Sequence, residues 1–148
     1  MKNCVLITGG TSGIGYALAQ KFAKEHYEVL IVASNKERLV QTKKNLEQAY
    51  GTAVHIYQQD LSKIGAAEEL YKKIKQENIE IDILVNNAGY GAIGATESID
   101  KEKDRGLMVL NMITLTELCK FFLEDMYKRK RGKILNVAST GAFQPGPY

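Results

Sequence analysis

The chain has 148 residues, 45% apolar and 25% charged, a balance that excludes a disordered, collagen-like or disulfide-framework chain. A net charge of +3 gives no argument for a nucleic-acid partner. No unbroken apolar run approaches the roughly 18 residues of a membrane span, and the N-terminal run stops at Thr8-Gly9-Gly10 without a signal-peptide pattern, so a cytoplasmic protein with no membrane partner is expected.

The elements follow in chain order. Cys4 to Thr8 reads as a buried strand, Ile14 to Lys24 as a helix, and Glu28 to Val32 as a second strand. Lys36 to Tyr50 reads as a helix stopped by Gly51, and Ala53 to Tyr57 as a third strand. Ser62 is the expected N-cap of a helix reaching Gln76, followed by a strand over Asp82 to Val85. A long helix is expected from about Lys101 to Arg129, then a fifth strand over Lys133 to Val137. Strands alternating with helices predict an α/β, Rossmann-type, doubly wound parallel sheet in the order 3-2-1-4-5, one domain over residues 1–148. Its ligand crevice belongs at the switch point between strands 1 and 4. The chain ends directly after a buried-type strand, which predicts a sheet incomplete on its C-terminal side, as in a fragment of a longer domain.

Between the first strand and first helix lies Thr8-Gly9-Gly10-Thr11-Ser12-Gly13-Ile14-Gly15. A pyrophosphate needs backbone N–H donors and a helix N-terminus, with no side chains in the way. Gly9 suits the turn, Gly13 the approach of a phosphate and Gly15 the packing of helix on strand, while Thr11 and Ser12 offer hydroxyls. A tight strand-to-helix turn with no ligand is the other reading of these residues.

The pattern Thr-Gly-x-x-x-Gly-x-Gly resembles the cofactor motif of the short-chain dehydrogenase/reductase family. Further matches follow in order: Asp60-Leu61, Asn86-Asn87-Ala88-Gly89, Asn111 in the long helix, and Ser139 after the fifth strand. The resemblance implies an NAD(P)H-dependent oxidoreductase that moves hydride between nicotinamide and a carbonyl or secondary alcohol. It implies cofactor contacts from Gly9, Thr11, Ser12, Gly13, Ile14 and Gly15, from Asp60 and Leu61 at the adenine, and from Asn87, Ala88 and Gly89. Asn86 is expected to tie neighbouring strands together. Ser139 is implied as a catalytic donor to a substrate carbonyl, and Asn111 as the holder of a proton-relay water. Each has a plainer reading: Asp60 as a helix N-terminal acid, Asn87 to Gly89 and Ser139 as turn residues, Asn111 as a satisfied core amide.

The second strand ends Val32-Ala33-Ser34-Asn35-Lys36, with no acid where NAD-preferring relatives carry one. Ser34 and Asn35 can bond a phosphate, and Lys36 or Arg38 can supply charge, so NADP(H) is favoured over NAD(H). No metal site is expected, because His26 and His55 lack ligand spacing. Cys4 and Cys119 read as reduced core residues, and Lys128 to Arg131 as a basic helix end stopped by Gly132.

The family's chemistry rests on a Tyr-x-x-x-Lys pair further along than these 148 residues, and Tyr148 is too close to Ser139 to serve. The chain taken alone is therefore expected to be inactive. The family also implies a homo-oligomer through the long helix. A non-catalytic nucleotide-binding sensor or scaffold, and an unrelated Rossmann-like enzyme such as a methyltransferase, are the competing readings.

Overall fold

The computed structural model describes residues 3–143; Tyr148 lies outside the described residues. Five parallel strands form one sheet in the order β3-β2-β1-β4-β5. They are β1 (Cys4–Thr8), β2 (Glu28–Ala33), β3 (Val54–Gln58), β4 (Ile83–Asn86) and β5 (Lys133–Asn136). Helices α1 (Gly13–Lys24), α2 (Lys36–Tyr50) and α3 (Ala66–Gln76) connect the first four. The expected strand order and the switch point between β1 and β4 are both present.

Side chains along a strand alternate between the two faces, and the core divides accordingly. Cys4 and Leu6 of β1, Leu30 of β2 and Leu84 of β4 face α3 and the long helix. Val5 and Ile7, Ile31 and Val85 face α1 and α2. Strands covered on both faces read as continuous apolar runs, as Val5 to Ile7 and Val29 to Val32 do.

Helix ends depart from expectation in instructive ways. α3 starts at Ala66, behind Gly65 in the left-handed region at φ 83°, not at an N-cap of Ser62. Ser62 is drawn off by Asp60, whose Oδ1 accepts from its backbone N–H and its hydroxyl. The long helix runs from Lys101 as α4 (Lys101–Met108), a π-helical turn (Val109–Thr114) and α5 (Leu115–Lys128). By length and composition alone it is long and apolar enough to cross a membrane, although charged and polar residues break its apolar run in the sequence. Its end is not set by Gly132. Lys130 takes the left-handed position, with Lys130 N–H on Tyr127 O and Arg131 N–H on Met126 O, the paired bonds of a Schellman motif.

The basic run is also used differently from a bare dipole partner. Arg131 pairs with Glu80 and Asp82, and Arg129 reaches the Ile81 carbonyl, tying the helix end to the entry of β4. Cys4 and Cys119 are both free thiols, the first buried and the second half-buried. Burial pushes the Cys4 thiol up to about 12, with Glu28 and Asp82 adding to the effect.

Candidate functional site

At the carboxyl ends of β1, β2 and β4 lies an open cleft of about 430 Å³. Among the expected residues, Gly9, Thr11, Ser12, Ile14, Ser34, Asp60, Leu61, Asn87, Ala88 and Gly89 line it. Gly13, Gly15, Asn35, Arg38, Asn111 and Ser139 do not. Val32, Ala33, Gln59, Ser62, Tyr90 and Leu110 line it as well.

The glycine loop is locked to β4 by bonds between residues far apart in sequence. Gly9 turns at φ 68°, and a Cβ there would lie 3.0 Å from Ala88 Cα. The Asn87 side-chain amide donates to Thr8 O at 3.0 Å and Gly9 O at 3.2 Å. Buried Thr8 completes the lock: its Oγ1 accepts from Asn87 N–H and Ala88 N–H, both at 3.0 Å, and donates to Val85 O. A Cβ at Gly15 would collide with Asn87 Nδ2 and Gly9 O, so only glycine lets α1 approach so closely. Gly15 therefore shapes the cleft from behind, while Asn87 both holds the loop and lines the cleft.

The open face of the loop is built for an anion. Ser12 is the N-cap of α1 but makes no side-chain cap bond, and no acid stands in the first turn. The orphan N–H groups of that turn carry the positive end of the helix dipole toward the cleft. Gly13 sits at φ 51°, with open space where a Cβ would be.

Across the cleft, the hydrogen bonds from Ser62, outweighing burial, hold Asp60 below the ordinary carboxylate value. Gln59, buried beneath, donates to Ala66 O and Glu69 and accepts from Lys73, fixing this turn to α3. The Leu61 carbonyl accepts from the Thr114 hydroxyl at 2.8 Å, which joins the turn to the π-helical segment. Asn35 Oδ1 is spent as the N-cap of α2 on Arg38 N–H at 2.8 Å, while Lys36 and Arg38 are exposed beside it.

Asn111 lies in the π-helical turn, a feature frequent at functional sites. Its amide donates to Tyr90 O at 2.9 Å and accepts from Tyr90 N–H at 3.4 Å. It is a half-buried, partnered amide whose side chain clamps the loop after β4. Asn86 ties β4 to β5 through a 2.9 Å bond to Asn136 Oδ1, as expected. Ser139 follows β5 on the exposed surface, and its Oγ accepts from Gly141 N–H at 3.1 Å, leaving the hydroxyl hydrogen available to donate.

A Tyr-x-x-x-Lys spacing does occur at Tyr71 and Lys75, but on α3, away from the cleft. The Tyr71 hydroxyl donates to Asp125, and burial pushes its phenol up to about 12, the reverse of an activated acid-base tyrosine. Among the described residues, no group of three His, Cys, Asp or Glu side chains could hold a metal ion.

Thr8, Tyr90, Thr114 and Gln59 escaped the sequence reading as site residues. Thr8 stood next to the glycine motif, and its signal was a polar residue ending an otherwise apolar strand. The others act through partners that no local pattern announces.

Comparison with known proteins agrees with this geometry. Residues 3–148 match the short chain dehydrogenase family. The chain is 38% identical over 138 residues to the fatty acyl-CoA reductase of Acinetobacter baylyi, covering 92% of this chain and 46% of that protein. It is 30% identical over 149 residues to the very-long-chain 3-oxoacyl-CoA reductase of Anas platyrhynchos, covering 96% and 46%. The chain thus spans about half the length of the curated relatives it matches. The NADPH complex of a Sphingobium yanoikuyae short-chain dehydrogenase superposes with a TM-score of 0.89 at 32% identity, over 97% of this chain and 56% of that one. The L-sorbose reductase of Gluconobacter frateurii, complexed with NADPH and L-sorbose, gives 0.90 at 30% identity, over 99% and 56%. A glycine loop locked to Asn87 at the β1–β4 switch point and a family match over nearly every residue lead to one assignment: the chain belongs to the short chain dehydrogenase family of oxidoreductases.

Proposed function

We propose that residues 1–148 form a single unit that binds a nicotinamide dinucleotide, NADP(H) in preference to NAD(H), in the cleft between the glycine loop, the end of β2 and Asn87 to Tyr90. The observation that carries this is the α1 N-terminus, uncapped by Ser12 and free of acids, facing a cradle whose glycines leave no side chain in the way. Asp60 and Leu61 would meet the adenine, and Ala88 and Gly89 the nicotinamide-side ribose. Preference for the phosphorylated cofactor is supported by the end of β2, where Ala33, Ser34 and Asn35 offer no carboxylate and Lys36 and Arg38 stand close by. The NADPH in two of the structural neighbours supports the same choice.

The reaction proposed for the whole protein is hydride transfer between a carbonyl or secondary alcohol and the cofactor, which when bound supplies or takes up the hydride. Ser139 would donate a hydrogen bond to the substrate oxygen as negative charge grows there. Asn111 would hold the Tyr90 loop in register, with its remaining amide hydrogen available to a relay water. Self-association is proposed through the exposed side of the long helix, where Met108, Met112 and Ile113 face solvent. α5 is already docked on α3 through buried Leu118, Phe122 and Met126, which favours a protein partner over a lipid one for the opposite face.

Titration of the chain with NADPH and NADH, followed by the change in dihydronicotinamide fluorescence, tests the reading. Binding of NADPH more tightly than NADH is expected, and loss of that difference in Arg38→Ala. Absence of binding to either nucleotide at millimolar concentration would sink the proposal.

A further inference from the structure

Gly106 occupies the interior of α4, where glycine is less favourable than any residue but proline. Its backbone does not call for glycine, since it is absent from the positive-φ positions. Space does. A Cβ at 106 would lie 2.7 Å from Tyr90 Oη and 3.5 Å from Ser62 Cβ. The phenol of Tyr90 therefore fills the notch that the missing side chain leaves.

Tyr90 is held at three points by one helix. Its N–H and C=O are clamped by the Asn111 amide, and its hydroxyl donates to Lys103 O at 3.0 Å. Both Tyr90 and Ser62 line the cleft, whereas Gly106 does not. With its backbone clamped and α4 behind it, a ring expelled from the notch must swing away from the helix, and the cleft that Tyr90 already lines lies on that side.

We propose that Tyr90 and Gly106 form a latch that sets the width of the nucleotide cleft. The glycine lets the phenol park against α4, and the parked ring leaves the cleft open beside Asp60. Tyr90 is thus a positioning residue, and Gly106 acts through it. This inference rests on the nucleotide-binding reading above.

The test compares the wild-type chain with Gly106→Ala, Tyr90→Phe and the double variant. NADPH affinity, Tm and the ligand-free ¹³Cζ resonance of Tyr90 are measured. Gly106→Ala alone should weaken NADPH at least about fivefold, as an overpacked contact does, and should shift the Tyr90 resonance. The Tyr90→Phe change deletes the clashing oxygen, so the double variant should bind within about twofold of Tyr90→Phe alone. In that background Gly106→Ala should raise Tm by about 2–4 °C through helix propensity. A purely structural role for Gly106 would move Tm without touching affinity and would show no rescue. Unchanged affinity in Gly106→Ala, a double variant no better than Gly106→Ala, or an unmoved Tyr90 resonance each overturns the latch. Failure of the wild-type chain to bind NADPH overturns the nucleotide reading instead, and the ligand-free resonance then decides the latch by itself.

Discussion

β1 and β5 flank β4 on opposite sides, and the rest of the chain treats them in opposite ways. Every residue of β1 is buried, whereas no residue of β5 is. β1 lies between α1 and α2 on one face and α3 and α5 on the other. Around β5, Ile134 and the following Val137 are only partly buried against the two core clusters, and Leu135 is 43% exposed. The same contrast runs through the helices: α1 buries Gly15, Ala19 and Ala23, while α4 buries nothing. The cleft draws its floor from the covered half, at the ends of β1 and β2 and the start of α1. The floor of the cleft is therefore set in the well-covered half, even though the sheet is thinly covered at β5.

Substitution on the two sides should give the largest measurable difference. Ile31→Ala, in β2 beside β1 and fully buried, should cost about 2–5 kcal/mol of unfolding free energy. Leu135→Ala in β5 should cost less than about 1 kcal/mol, because little surface is returned to water. Urea unfolding monitored by circular dichroism reads both. Equal losses would mean that β5 is as much a part of the core as the strands of the covered half, and the comparison would collapse.

The next test lies at the seam. Thr8→Val keeps the shape but removes the shared acceptor of Asn87 and Ala88 N–H, at a cost of about 1–3 kcal/mol. NADPH affinity should fall as well, since the glycine loop loses one of its two ties to β4 and keeps only the Asn87 side-chain bonds. Thr8→Ser restores the hydroxyl and should recover most of both. A Thr8→Val chain that binds NADPH normally would show that Asn87 alone suffices as the lock.

What could be read beforehand divides along the same line. The strands and their order followed from apolar runs and βαβ alternation, signals carried by neighbours in sequence. The roles of Gly9 and Gly15, and the strand-to-strand bond of Asn86, were also legible, because the motif fixed their surroundings. Thr8 was not, because its partners lie 77 to 80 residues away. Ser62 had the chemistry of an N-cap, but Asp60, two residues earlier, competed for it and delayed α3 to Ala66. The π-helical turn at Asn111 has no periodic signature, since its cause is tertiary: Asn111 reaches Tyr90, and Thr114 reaches Leu61.

A smaller effect is expected on the exposed side of the long helix. Met112→Glu, at a position 64% exposed, should leave unfolding within about 0.5 kcal/mol of wild type. Sedimentation equilibrium should nevertheless report a shift toward monomer if this face mediates self-association. An unchanged mass distribution would remove the helix from the interface and leave the apolar region around β5 as the surface to examine.

The smallest effect concerns how firmly α5 holds to the covered half through Asp125, Tyr71 and Lys75. Burial alone would raise the Asp125 carboxyl, but hydrogen bonds from Lys75 and Tyr71 outweigh it and hold the group below its ordinary value of 3.8. A depressed carboxylate contributes stability above that value and loses it as pH falls through the folded-state pKa. The Tyr71 phenol is raised to about 12 by burial and by its bond to Asp125, so its contribution is present below pH 10 and fades between 10 and about 12. Asp125→Asn should therefore flatten the acid limb below pH 3.8, and Tyr71→Phe the alkaline limb. Each change should stay under about 1 kcal/mol, because Lys75 is half exposed and solvent screens the pair. Unfolding midpoints across pH 2–12 would measure both limbs. Unchanged limbs in both variants would mean that α5 is held by the stacking of Tyr71 on Phe121 and the burial of Phe122, with the polar cluster contributing nothing to its docking.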